Sequence, residues 1–314
     1  MLLSLAGIVG GLFLLTYAAD QFVIGAARVA IARRMSKVVV GAVVIGFGTS
    51  TPEMLVSGLA GAQGSLDLAM GNIVGSNAAN LTLVLGAAAL VTPIVVHVDV
   101  LRREALLSLG LVVAFGVVLQ GTVGAGDGMV LAVLFVAAIG FIVYDARKGD
   151  NQLGKEVDEF LADTEFSPAR EWTRTLAGLA GTLAASHLLV WSARDLADRV
   201  GLAEGFVGMT VVAVGTSLPE LAASLQAARK DETDLIVGNL LGSNLFNAGA
   251  VAAVAALTGA GQRVDSSIGV AGALLMVGVA VIATAFMVSG RRVVRWEGAL
   301  LMAVFVVSLP ILAG

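Results

Sequence analysis

The sequence predicts an all-α membrane protein: ten transmembrane helices arranged as two inverted five-helix repeats, with broken helices at a repeated motif. Three observations lead there. Of the 314 residues, 58% are apolar and 13% charged, whereas soluble domains carry about 45–50% and about 25%. The apolar residues fall into stretches of the length a bilayer needs, about 20 residues each. A block of polar and glycine residues recurs at a constant offset of 167.

Taken in order, the spans are 2–32, 38–63, 66–91, 104–121, 127–145, 172–198, 205–228, 233–258, 268–289 and 296–313. No basic residue precedes the first apolar run and no small-residue cleavage site is evident, so the run beginning Met1-Leu2-Leu3-Ser4 reads as a span rather than a signal peptide. The longest polar connection runs from Asp145 to Arg170. It divides the chain into a first half, 1–145, a linker, 146–170, and a second half, 171–314.

Basic residues orient the spans. With both termini outside, 16 of the 19 Lys and Arg fall in inside connections: Arg28, Arg33, Arg34 and Lys37; Arg102 and Arg103; Arg147, Lys148, Lys155, Arg170 and Arg174; Arg229 and Lys230; Arg291, Arg292 and Arg295. Only Arg194, Arg199 and Arg263 fall outside. The linker is then cytoplasmic and the protein sits in the cell (inner) membrane. A net charge of −4 with scattered basic clusters gives no support for nucleic-acid binding. Cysteine is absent, which excludes disulfides, thiol catalysis and thiolate metal sites.

Val40 to Asn80 aligns without a gap on Val207 to Asn247, with 18 of 41 positions identical. The identities are not those that apolar composition would supply. Gly48-Thr49-Ser50-Thr51-Pro52-Glu53 matches Gly215-Thr216-Ser217-Leu218-Pro219-Glu220, and Gly71-Asn72 through Gly75-Ser76-Asn77 to Asn80 matches Gly238-Asn239 through Gly242-Ser243-Asn244 to Asn247. Five spans separate the copies, so they lie in opposite orientations. The turn Gln63-Gly64-Ser65 has no basic residue, as expected outside, while its counterpart carries Arg229 and Lys230. Inverted repeats of this kind are the signature of secondary transporters.

Glu53 and Glu220 each lie deep in an apolar stretch, where an isolated carboxylate costs several kcal/mol. Both are expected to face the interior and share a cation or proton. Pro52 and Pro219 remove an N–H and free carbonyls one turn back, near Thr49 and Thr216. Ser76 with Asn80, and Ser243 with Asn247, are four residues apart and share a helix face. Gly71, Gly75, Gly238 and Gly242 are small-xxx-small pairs that permit close helix approach. Carboxylate, hydroxyl, amide and backbone oxygens without imidazole or thiol suit hard cations such as Ca²⁺ and Na⁺.

The paired G-T-S-x-P-E and G-N-x-x-G-S-N-x-x-N motifs resemble the α-repeats of the cation/Ca²⁺ exchanger superfamily, specifically prokaryotic Na⁺/Ca²⁺ antiporters. That resemblance implies a secondary antiporter working by alternating access, with Ca²⁺ and Na⁺ as cargo, no cofactor and no enzymatic activity. It implies four cation sites at mid-membrane: Glu53 and Glu220 shared by Ca²⁺ and Na⁺, Thr49 and Thr216 completing the Ca²⁺ site through their carbonyls, and Ser50, Ser76, Ser217 and Ser243 with the carbonyls of Gly46 and Ala213 at flanking Na⁺ sites. Asn80 and Asn247 would line the middle. Some relatives, including K⁺-dependent exchangers, have aspartate where this chain has Asn247, which argues against K⁺ coupling. Exchange of three Na⁺ for one Ca²⁺, as the family implies, would move net charge. The protein is expected to work as a monomer within the lipid bilayer.

Other readings compete with parts of this one. The same fold would run H⁺/Ca²⁺ exchange if a glutamate took a proton instead of Na⁺. Glu53 and Glu220 would otherwise be a packing pair, which two inverted copies make hard to explain. An intramembrane aspartyl protease is suggested by Gly124-Ala125-Gly126-Asp127 and Tyr144-Asp145, but 18 residues on one span put those aspartates about 27 Å apart. Asp20 is either a cation relay or the partner of a polar neighbour. His187 is expected to hydrogen-bond between helices and His97 to lie in a cytoplasmic loop. Glu156, Asp158, Glu159, Asp163 and Glu165 lack Ca²⁺-loop spacing and read as a solvated linker.

Overall fold

The computed structural model describes residues 1–33, 35, 50–146, 167–265 and 267–312. The first part of the second span, with Gly46 and Thr49, and the acidic stretch of the linker lie outside these. The helices are α1 (Leu2–Ala32), α2 (Thr51–Ala62), α3 (Leu66–Val91), α4 (98–118), α5 (Ala125–Ala146), α6 (Pro168–Val200), α7 (Glu204–Thr216), α8 (Leu218–Arg229), α9 (Thr233–Thr258), α10 (Ile268–Gly290) and α11 (Arg295–Leu312). All ten expected spans thus carry helix, the second by its described part. Length and hydropathy alone qualify α1, α3, α5, α6, α9 and α10 to cross a membrane, and α7 with α8 as one bent span.

The fourth span begins earlier than its hydropathy suggests. Arg103, in its first turns, is satisfied by Glu104 at 2.7 Å and by Asp145 of α5 at 2.9 Å. Paired in this way, the charges can be carried into the helix instead of ending it.

Burial separates a centre from a periphery. The most apolar windows of α3 and α9 are 83% and 78% buried inside the protein, against 33% for α1 and 17% for α5. The outer helices turn large apolar side chains outward, among them Phe13 and Tyr17 on α1, Val133 and Val136 on α5 and Leu274 on α10. Such an exterior suits lipid tails as solvent. Exposed Tyr144, Trp172 and Trp296 lie at helix ends that the charge pattern places on one face, as interfacial aromatics do.

Contacts between the halves repeat in pairs. The start of α3 packs on α7, its end on α8 and α11; α9 packs on α2 and α5. The long helices α1 and α6 lie along each other. Two short antiparallel ribbons cross-link the halves, Ile94–Val95 with Arg292–Val293 and Thr122–Val123 with Gln262–Arg263. Each joins a strand that follows the third span of one half to a strand between the last two spans of the other. The ribbons are therefore exchanged by the same two-fold relation as the sequence repeat.

Close approach explains the glycines of the first copy but not those of the second, since a Cβ at Gly238 or Gly242 would meet nothing within 4 Å among the described residues. A Cβ at Gly71 would strike the Gly205 carbonyl, and one at Gly75 the Met209 carbonyl and the Ala213 side chain at 2.6 Å. Without a hydrophobic force between helices in lipid, such backbone contact supplies the packing energy.

Candidate cation-binding site

α2 and α8 begin alike. Ser50 and Ser217 stand at the N-cap positions without a side-chain cap bond, Pro52 and Pro219 sit in the first turn, and Glu53 and Glu220 follow immediately. A proline cannot continue the preceding helix, but its fixed φ suits the first turn of a new one. The chain accordingly bends by 43° between α7 and α8. Each glutamate lies in the first turn of its helix. Both are almost fully enclosed, Glu53 at 1% and Glu220 at 3% exposure. Glu53 lies within electrostatic reach of Glu220, which belongs to the other repeat.

α3 and α9 supply the second set. Within each, one turn widens to a π-helix, at Asn80–Val84 and Asn247–Val251. π-turns insert an extra residue and recur at functional sites; here each opens on the last asparagine of the motif. Asn80 Nδ2 donates to Asn244 Oδ1 at 3.0 Å, and Asn244 Nδ2 donates to the Asn77 carbonyl at 3.1 Å. Thr216 Oγ1 donates weakly to Asn72 Oδ1 at 3.4 Å, and Asn72 Nδ2 donates to Ser57 Oγ at 3.0 Å.

What remains unpaired marks the site. Buried side-chain atoms without a hydrogen-bond partner include one carboxylate oxygen of Glu53 and one of Glu220, the hydroxyls of Ser50, Ser76, Ser217 and Ser243, and the amide oxygens of Asn80 and Asn247. A buried polar atom left unpaired costs about 1–3 kcal/mol, so this many orphaned oxygens need a ligand. As acceptors they suit a hard cation. Ala213 differs, because its carbonyl already accepts Ser217 N–H at 3.0 Å and Thr216 Oγ1 at 3.3 Å. Among the described residues no three His, Cys, Asp or Glu side chains cluster to hold a metal; two carboxylates here are supplemented by neutral oxygens instead.

Several participants carried no role in the sequence reading. Ser57, Asn72, Asn77 and Asn244 are fully buried and hydrogen-bonded around the site, and the Asn77 and Ser224 oxygens are orphaned as well. All lie inside the repeated block, which was the available signal. Asp20 lies close enough to interact with Glu220. His187 Nδ1 meets Gln63 Nε2 at 3.0 Å, the expected interhelical bond. His97 does more than occupy a loop, since its Nε2 lies 3.4 Å from Asp234 of the other half. The protease reading loses both aspartates: Asp127 accepts Gly124 N–H at the start of α5, as Glu297 accepts Val294 N–H in α11, and Asp145 pairs with Arg103. A surface cavity of about 480 Å³ opens beside Asp67, Gln120, Arg263 and Asp265, nine residues along α3 from Ser76, or about 14 Å.

Comparison with known proteins covers the same ground. The family described as sodium/calcium exchanger protein matches residues 3–144 and 172–313. The putative antiporter CaxA of Alkalimonas amylolytica is 35% identical over 98% of this chain and 97% of its own. The sodium/calcium exchanger MaX1 of Methanosarcina acetivorans is 26% identical, covering 96% of each. A structure of the sodium-calcium exchanger NCX_Mj, soaked with Na⁺ and Sr²⁺, superposes with a TM-score of 0.66 at 30% identity over 98% of both chains. These relatives are transporters rather than enzymes. With its repeated halves, its paired glutamates and this match along nearly its whole length, the chain is an integral membrane protein of the sodium/calcium exchanger family.

Proposed function

We propose that the protein exchanges Ca²⁺ for Na⁺ across the cell (inner) membrane by alternating access, binding both between the two repeats. One observation supports the reading: each copy contributes buried oxygens without a hydrogen-bond partner, at Glu53, Ser50, Ser76 and Asn80 and again at Glu220, Ser217, Ser243 and Asn247. Two carboxylates match the charge of one Ca²⁺, and the neutral oxygens offer Na⁺ places beside them. Thr49, Thr216, Gly46 and Ala213 complete the set through their carbonyls; a cation at Ala213 competes with the hydrogen bonds this carbonyl accepts. Because the two half-sites are inverted, rocking one set of helices against the other exposes the same ligands to either face. Both termini lie outside, the linker is cytoplasmic, and residues 1–145 and 171–314 are the two halves. One chain holds both half-sites, so a monomer suffices.

Proteoliposomes test this. An outward Na⁺ gradient should drive Ca²⁺ uptake, and Glu220→Gln should abolish it in a protein that remains monodisperse. Uptake that responds only to an outward proton gradient would replace Na⁺ by H⁺ as the coupling ion. Flux in neither gradient would reject exchange altogether, and transport retained by Glu220→Gln would reject the site.

A further inference from the structure

Asp20 is exposed on α1 at membrane depth, among residues that otherwise face lipid or protein. A carboxylate there is tolerated when it faces the bundle interior or a water-filled crevice. Its place along the helix shows what it lies beside. α1 and the α7–α8 span run in the same direction, and the Leu12 side chain of α1 lies where a Cβ on Gly215 would be. From that level Asp20 is eight residues on, about 12 Å, whereas Glu220 is five residues on, about 7 Å. Asp20 therefore lies just beyond Glu220 on the way to the membrane face that carries the Arg229–Lys230 turn, and the two carboxylates interact.

The repeat supplies a control. An offset of 167 carries Asp20 onto His187 of α6. His187 holds Gln63, on the turn at the opposite face. The slot flanking the ion path is thus an acid on one side and an imidazole on the other.

We propose that Asp20 is a cation-recruiting residue on the approach to Glu220 from the face of the Arg229–Lys230 turn. This rests on the exchange reading above. A carboxylate at the mouth of a low-dielectric crevice raises the local cation concentration, and with it the rate of entry. The His187 slot has no fixed negative charge, so Asp20 has no equivalent at that place on the opposite face.

Membrane vesicles of both orientations, with Ca²⁺ titrated on the outside of each under a Na⁺ gradient, provide the test. Asp20→Asn should raise the half-saturating Ca²⁺ about tenfold at the Arg229–Lys230 face and leave the other face unchanged. Asp20→Glu should restore it. A shift of equal size at both faces, no shift, or failure of the glutamate to rescue overturns the proposal. Should Asp20→Asn not fold, His187→Asp carries the test: it should lower the half-saturating Ca²⁺ at the opposite face, and an unchanged value there overturns the assignment. Absence of flux in the wild type would reject exchange and this role with it, whereas wild-type flux without the one-sided shift rejects Asp20 alone.

Discussion

At the seam between α1 and α6, two contacts occupy the same place in the repeat. Arg28 meets Glu171 at 3.1 Å, with the Glu171 side chain fully buried and Arg174 3.8 Å from its other oxygen. Shifted by 167, Arg28 becomes Asp195 and Ser4 becomes Glu171, and Ser4 indeed hydrogen-bonds Asp195 at the other end of the pair. One slot holds a buried ion pair; its twin holds a hydroxyl on a carboxylate that also binds exposed Arg199. At the centre, by contrast, the copies use the same residues in the same slots: glutamate, serine, asparagine and glycine. Under the proposed exchange the interior presents one set of ligands to both faces, which accounts for its duplicated chemistry. The seam only has to hold two helices together, and there each end is free to use whatever its own membrane face favours.

The largest effect should come from the duplicated centre. Glu53→Gln and Glu220→Gln should each abolish Na⁺-driven Ca²⁺ flux, and survival of either variant would break the equivalence of the half-sites. Next comes the seam. Arg28→Ala leaves Glu171 buried without its main partner and should cost about 3–5 kcal/mol, whereas Ser4→Ala removes one hydrogen bond and should cost about 1 kcal/mol. Denaturation in detergent micelles measures both, and equal losses would erase the contrast between the two ends.

Smaller differences sharpen the comparison. Asn72→Ala should cost about 1–3 kcal/mol by leaving Ser57 and Thr216 short of a partner, again read by micelle denaturation. The turns differ as well. Gly64 has φ +82° and its repeat counterpart Asp231 has φ +58°. Gly64→Ala should cost about 1–2 kcal/mol, while Asp231 tolerates the conformation as aspartate can and is further held by Thr92 Oγ1 at 2.9 Å. Thermal denaturation in micelles reads the change, and an unchanged stability of Gly64→Ala would show that glycine is not needed there.

Much of the centre was legible because its signals are local. A glutamate after a proline in an apolar run announces both a helix break and a buried charge, and recurrence at one offset announces the inversion. Asn72, Asn77 and Asn244 stood in the repeated block without a role, since the bonds of Asn72 with Ser57 and Thr216, and of Asn244 with Asn80 and the Asn77 carbonyl, join other helices or other repeats. The π-turns at Asn80 and Asn247 left no periodicity to read, because one inserted residue per helix is smaller than the uncertainty of a hydrophobic pattern. Asp20 and Glu171 were visible as charges, but their partners Glu220 and Arg28 are set by how α1 lies against its neighbours.

By itself, the sequence determined the membrane class, the ten spans, the inverted halves and the pair of glutamates. Each of these rests on composition, on runs as long as a bilayer, or on one constant offset, none of which needs a folded chain. Tertiary structure decided which oxygens stay unpaired, which carboxylates see each other, and where equivalent slots hold different chemistry. Those depend on contacts between residues remote in sequence, such as Ser4 with Asp195, 191 residues apart, and Ile94 with Val293. In lipid such contacts are selected by close packing of small residues and by the cost of an unpaired polar group, both of which exist only once the helices have met.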